Sequence, residues 1–238
     1  MPFPFAKFMR AIVLLMFLLF ATAVFGQTDK LVLKENVPDI SSTDAKNPNI
    51  WPADWEILED AVKNEDWTKS SILAEEYLQS LPEETKDWKK ARLRYIYLYS
   101  LAGKVIYYSF SNNRDQEEYS RARLEAAAQS FVGRDFVFPV RKILADCKGA
   151  VNFVCESKEN PGFLHISATN LAGTSIHFSE YIEMGRIKLD VKKHDDSDVI
   201  LGGRLKGARI NTDRSNRLVM TLQFEDGFVY RIYTEKNR

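Results

Sequence analysis

The sequence predicts an α+β protein: N-terminal helical hairpins followed by an antiparallel β meander, forming a small sandwich or a partly open barrel. Two observations predict it. Apolar residues recur at helical spacing between Trp51 and Phe131, and from about Ala150 onward the repeat changes to two. Ahead of both lies an apolar run and a polar, proline-containing stretch. The expected divisions are therefore a signal peptide over 1–26, a polar leader over 27–50, a helical domain over 51–147 and an antiparallel β domain over 148–238.

The N-terminus comes first in the chain. Lys7 and Arg10 precede sixteen residues, Ala11 to Gly26, that are apolar or small except Thr22, and Gln27 opens polar chain. A membrane-spanning helix needs about twenty apolar residues. This run is shorter and ends in Ala21-Thr22-Ala23 and then Gly26. Positive, apolar, small, then polar is the order of a secretory signal peptide, cleaved after Ala23 or Gly26. The competing reading is an uncleaved anchor, in which tilt and Phe3, Phe5 and Phe8 help a short helix across the bilayer. Signal cleavage would deliver a secreted or periplasmic chain with no stable membrane insertion.

Helical spacing then sets four elements. Pro52 suits a first helical turn, and Trp55, Leu58, Ala61 and Val62 line one face. Asp66 reads as an N-cap for a second helix, with Ile72, Leu73, Tyr77, Leu78 and Leu81 apolar and a stop near Pro82. The third, about 84–102, carries Trp88, Ala91, Tyr95, Leu98, Tyr99 and Ala102 on one face and Leu93, Tyr97 and Leu101 on another. A helix apolar on two sides is sandwiched between neighbours, so this one should be central, with Gly103 ending it. Asp115 and Glu118 resemble a capping box that opens a fourth helix through Phe131, packed by Tyr119, Ala122, Ala126 and Phe131.

"EDWTKSSILAEEYLQSLP" followed by "ARLRYIYLYSLAG" resembles the second and then the first helix of tetratricopeptide units, with Trp67, Ser70, Ala74, Leu78 and Pro82 near the family's positions and Tyr99 four residues before Gly103. The resemblance covers residues 51–103. It departs from the pattern in two ways: Ser70 stands where alanine is usual, and Asn64 and Gly103 lie 39 residues apart, against a family period of about 34. It implies a helical scaffold presenting a protein-binding groove; a plain helical bundle is the alternative.

Strands are expected near 151–156, 162–169, 174–180, 186–193, 199–210, 216–224 and 228–235. Glu225-Asp226-Gly227 reads as a three-residue hairpin loop, which sets Phe224 opposite Phe228 and Leu222 opposite Tyr230. The turn at "TDRSN" sets Ile210 opposite Leu218 and Ala208 opposite Met220. "LGGRLKG" has strand signals on both sides, so it reads as a bulge or bend rather than a phosphate loop, which needs a helix after it.

Charge and cysteine content narrow the function. The chain has 33 basic and 33 acidic residues, and loss of the leader removes only Lys7 and Arg10. No basic stripe for nucleic acid and no cationic face for a membrane surface is present in the sequence. Cys147 and Cys155, the two cysteines, are expected to form a disulfide in an oxidising compartment. Buried free thiols are the alternative. The spacing is not that of a Cys-x-x-Cys redox pair.

The sharpest chemical feature is "LHISATNLAGTSIHFS". If Ala168 pairs with Thr174, His165 stands directly opposite His177, close enough for two imidazoles to hold one metal ion. Zinc needs a third ligand, for which Glu180, Glu183 or His194 are the acidic or imidazole choices in sequence. A solvent-facing hairpin with incidental histidines is the competing reading. "HDDSD" lacks the glycine and closing glutamate of a calcium loop, and no Gly-x-Ser-x-Gly elbow accompanies the serines. Trp51, Trp55, Trp67 and Trp88 read as core. Three functions follow: a non-enzymatic interaction or binding module with an envelope protein as partner, a metal-dependent hydrolase using His165 and His177, and a small-ligand carrier in the β domain.

Overall fold

A computed structural model describes residues 55–82, 88–147, 153–158, 163–167, 178–184, 195–214 and 217–231, all within one compact unit. The signal peptide, the leader, Trp51, the strand expected at 186–193, His177 and His194 lie outside them. Four helices come first: α1 Glu56–Lys63, α2 Trp67–Ser80, α3 Trp88–Phe110 and α4 Arg114–Ser130. Seven strands follow: β1 Asp135–Val137, β2 Arg141–Ile143, β3 Phe153–Glu156, β4 Leu164–Ser167, β5 Phe178–Glu183, β6 Asp198–Thr212 and β7 Leu218–Arg231. The chain is α+β.

Asp66 caps α2 as its position suggests, its carboxylate accepting from the Lys69 amide at 3.0 Å. At the other end of α2, Lys90 donates to the carbonyls of Leu81 and Pro82 at 2.9 and 3.2 Å, so an α3 cation satisfies acceptors that the ending helix leaves open. α3 is buried on every side from Lys90 to Gly103, the central helix that two apolar stripes imply. Arg123 of α4 donates to both Glu75 oxygens at 2.9 Å and to the Tyr97 hydroxyl at 2.8 Å, while Tyr97 donates to Glu75 at 3.0 Å. This ties α2, α3 and α4 together. Burial, and then the bond to Glu75, push the Tyr97 hydroxyl up to about 12.

Two helical expectations are corrected. Gly103 does not end α3, which continues to Phe110. The glycine is a notch: a Cβ there would lie 2.4 Å from Trp67 Cδ2, so the missing side chain is what lets α2 approach. α4 begins at an Asn113 cap, whose side chain accepts from the Gln116 amide at 3.3 Å, and it buries Ser120, Leu124 and Ala128 rather than Tyr119, Ala122 and Ala126. Leu124 is the one large aliphatic side chain on α4, so it outweighs small alanines in choosing the buried face.

The sheet is mixed. Its order is β1-β6-β2-β3-β4-β5-β7, and β7 also pairs with β6, so the pairings return on themselves through β6, β2, β3, β4, β5 and β7. β2 with β3 and β5 with β7 are parallel, which corrects the all-antiparallel meander. Side chains alternate with period two in both kinds of pair, so alternation does not encode strand direction. β1 and β2 precede residue 148, where the period change places the start of the β half. With three residues each, they are too short to establish a period.

The expected hairpin at Glu225-Asp226-Gly227 is also corrected, because β7 runs straight through it against β6. Gly227 faces Gly203, and Leu205 faces Phe224, with register shifts on either side of Leu205. A Cβ on Gly203 would come within 2.7 Å of the Asp226 carbonyl oxygen. Close backbone approach thus absorbs Glu225 and Asp226 as an irregularity inside a long strand, and the bulge reading of "LGGRLKG" holds. After the 213–217 turn, Ile210 meets Met220 and Ala208 meets Leu222. The register is two residues from that expected, an even shift that leaves both faces intact.

One transverse row of the sheet aligns Val154, Ile166, Glu180, Met220 and Ile210, and the next aligns Leu164, Ile182, Leu222 and Ala208. All but Ile210 are buried. Together with Leu93, Leu98 and Leu101 of α3, these rows belong to one core shared by helices and sheet.

Gly103→Ala is expected to lower stability by about 1–2 kcal/mol in denaturant unfolding, because the clash with Trp67 exceeds the ~1 kcal/mol that alanine gains over glycine within a helix. In a Trp67→Ala background the same change should become stabilising.

Candidate functional site

Opposite faces of the sheet carry two different clusters. On the inner face, the buried Glu180 of β5 sits in an otherwise apolar row. Tyr95 of α3 reaches it, donating to Oε2 at 3.0 Å, and accepts from Arg141 of β2 at 3.2 Å. Arg141 also donates to the Val140 carbonyl at 3.1 Å. Tyr95 packs on Phe138 with ring centroids 4.6 Å apart, and Arg92, one turn away, donates to the Phe138 carbonyl at 3.1 Å and lies over Trp88 at 4.7 Å. Among the described residues, Oε1 of Glu180 and the Nε atoms of Arg92 and Arg141 make no hydrogen bond.

Burial dominates the electrostatics here. It pushes the Glu180 carboxyl up to about 7, against the opposing pull of Arg141 and of the Tyr95 hydrogen bond. It lowers the Arg92 guanidinium to about 10, with Arg141 adding to the effect. The Tyr95 and Tyr99 hydroxyls are raised by the same desolvation.

The outer face holds His165, and its surroundings differ from those expected. Tyr181 stands opposite it on β5, which corrects the expected direct register of His165 on His177; His177 itself lies outside the described residues. The register lies four residues from the expected one because the length of the β4–β5 connection, which alternation does not fix, decides it. Glu180 faces the other side of the sheet and is not a companion ligand. Glu183 accepts from Gln223 at 2.7 Å.

On its other side His165 faces Cys155 of β3 directly. Cys155 is bonded to Cys147, which lies just beyond β2, with their Cα atoms 5.2 Å apart. The disulfide expected from the sequence is formed. The ligand atoms of Cys147, Cys155 and His165 all lie within 4.8 Å of one another. The imidazole stacks on Tyr181 at 5.1 Å and meets the edge of Phe153 at 6.5 Å, which fixes its plane. This trio is a candidate grouping that sequence reasoning missed. The signal for it was present: strands 151–156 and 162–169 were both legible, and pairing them sets Cys155 beside His165.

A third feature is an open cavity of about 550 Å³ between the ends of α2 and α4 and the start of α3. Leu78, Pro82 and Phe131 give it apolar wall, and Lys90, Arg94 and Arg134 give it charge. Lys90 is committed to the α2 carbonyls, and Arg94 donates to the Asp135 carbonyl at 2.8 Å. Lys90 and Arg94 therefore hold helices to one another and to the sheet.

No known protein family, characterised protein or solved structure proves similar to this chain. Among the described residues, no helix is long and apolar enough to cross a membrane.

Glu180 gives the fold a pH dependence of definite sign. Its carboxyl holds a proton more tightly folded, near 7, than unfolded, near 4.5. Below the unfolded value both states are protonated and its contribution to stability is complete. Between the two values only the unfolded state sheds the proton, so stability falls by about 1.4 kcal/mol per pH unit, roughly 3 kcal/mol in all. Urea unfolding at pH 4.5, 6 and 7.5 is expected to show this loss in the wild type and not in the Glu180→Gln variant.

Proposed function

We propose that the chain is an exported, non-enzymatic interaction module of the cell envelope, in which the helical layer docks a partner protein and the sheet holds that layer rigid. The observation that carries this reading is a concentration of exposed aromatic side chains at one end of the helices. Tyr107 and Phe110 at the end of α3 are 59% and 66% exposed, and Tyr119 near the start of α4 is 58% exposed. All three fall within about two turns of the α3–α4 connection. Large apolar side chains grouped in water are uncommon on monomers, and aromatic residues are enriched where proteins dock.

Export is supported by the leader-like first 26 residues and by the Cys147–Cys155 disulfide, a bond that persists in oxidising compartments. The tetratricopeptide-like spacing of residues 51–103 is in keeping with a helical docking scaffold. The hydrolase reading has less support, because Tyr181 rather than a histidine faces His165 in the β4–β5 register. The carrier reading needs room within the sheet, whose inner rows are filled by side chains such as Val154, Ile166, Ile182, Met220 and Leu222.

A photoreactive residue at Tyr107, Phe110 or Tyr119 should crosslink one recurrent envelope protein in the native cell, while the same residue at Arg204 on the sheet should not. The triple alanine variant should abolish that capture and shift unfolding by less than about 0.5 kcal/mol per site, as exposed positions do. Identical captures from both surfaces would contradict the reading.

A further inference from the structure

We propose that reduction of the Cys147–Cys155 disulfide opens a metal site, in which two thiolates and the His165 imidazole bind one zinc-like divalent cation with a fourth position left for water. Oxidised, this site is closed to metal; reduced, it becomes a Cys₂His centre.

The sheet supplies the geometry. Cys155 and His165 are direct partners in the β3–β4 ladder, so their side chains leave the same face at neighbouring points. Cys147 follows β2, the parallel neighbour of β3 on its other edge. The three donor atoms already lie within 4.8 Å of one another. Tetrahedral zinc, with bonds of about 2.3 Å to sulfur and about 2.0 Å to nitrogen, sets its donors roughly 3.5–3.8 Å apart. Small side-chain rotations reach that arrangement once the sulfurs part. Two soft thiolates and one imidazole select zinc over magnesium or calcium, which prefer oxygen.

Each sulfur also has a backbone acceptor at hand. The Cys147 sulfur lies 3.2 Å from the Glu156 carbonyl oxygen, and the Cys155 sulfur 3.8 Å from that of His165. In the disulfide neither sulfur has a proton to offer these acceptors. After reduction each thiol can donate to its carbonyl. A divalent cation displaces both protons, and two thiolates neutralise its charge. Stacking on Tyr181 and the edge of Phe153 hold the imidazole in place as the third ligand.

The chemistry balances with an external dithiol. Two electrons and two protons pass from that dithiol, which closes to its own disulfide, to the Cys147–Cys155 bond, which breaks into two thiols. Metal binding then releases two protons to solvent. The site thus reports the thiol–disulfide state of its surroundings as bound or unbound metal.

The test is a cobalt(II) titration of the purified native protein, oxidised and after reduction by a phosphine, which is itself converted to the phosphine oxide. We expect one equivalent bound with thiolate-to-cobalt charge-transfer absorption in the reduced protein and no such band in the oxidised one. His165→Ala, a change at a half-buried position, should weaken binding at least tenfold, and Cys147→Ser should abolish the band. Circular dichroism of the same samples checks folding. The proposal is overturned by equal binding in the oxidised protein, by no binding in the reduced protein, by unchanged affinity in His165→Ala, or by a reduced chain that unfolds and does not refold with cobalt.

Discussion

The structure depends on one buried contact, the hydroxyl of Tyr95 held between Glu180 and Arg141. α3 is the only element buried on all sides over most of its length among the described helices, and Tyr95 is the side chain through which it enters the polar heart of the sheet. A carboxyl and a guanidinium taken out of water cost several kcal/mol each unless they are paired and hydrogen-bonded. Tyr95 supplies a donor to one and an acceptor to the other. Arg92 and Arg94 add two more bonds from α3 to carbonyls of the Asp135–Phe138 segment. The helices are thereby fixed to the sheet by directional bonds as well as by apolar packing, and the register of one on the other has little freedom to slip.

Period-two alternation then divides labour between the two faces of the sheet. Even positions of β4 and β5, Ile166, Glu180 and Ile182, face the core shared with α3. Odd positions, His165 and Tyr181, face outward toward the Cys147–Cys155 bond. One residue of slip in β4 would exchange them, turning the imidazole toward the core of α3 and the apolar row toward the cysteines. The contact that anchors Glu180 therefore also holds His165 where it meets the cysteines. A structural interaction on one side fixes chemistry on the other.

Much of this was legible in the sequence where a local rule was strong. Asp66 capped the helix it precedes, the doubly apolar stretch around Tyr95 and Leu101 proved central, and the change of period near Ala150 marked a helical part followed by a sheet, though two short strands precede it. Failures came where the deciding force was not local. Gly103 looked like a stop because the bulk of Trp67, 36 positions earlier, was not visible as its partner. Gly227 of β7 looked like part of a loop because its close approach to Gly203 belongs to a pairing of long strands. Strand direction left no trace in alternation, and β1 and β2 were too short to leave one. For the candidate site, the disulfide was readable from two cysteines and a leader, whereas the neighbour of His165 hinged on loop length, and only even register errors preserve faces. Glu180 was noticed as an acid near a histidine, but its inward direction required the ladder.

The central claim is that helices and sheet form one cooperative body through Tyr95 and Glu180. A double-mutant cycle with Tyr95→Phe and Glu180→Gln, read by denaturant unfolding at fixed pH with helical and aromatic circular dichroism recorded together, tests it most directly. The account predicts a single shared transition in every variant and a coupling energy of about 1–3 kcal/mol between the two sites. Separate helical and aromatic transitions in the wild type, or strictly additive single changes, would contradict it.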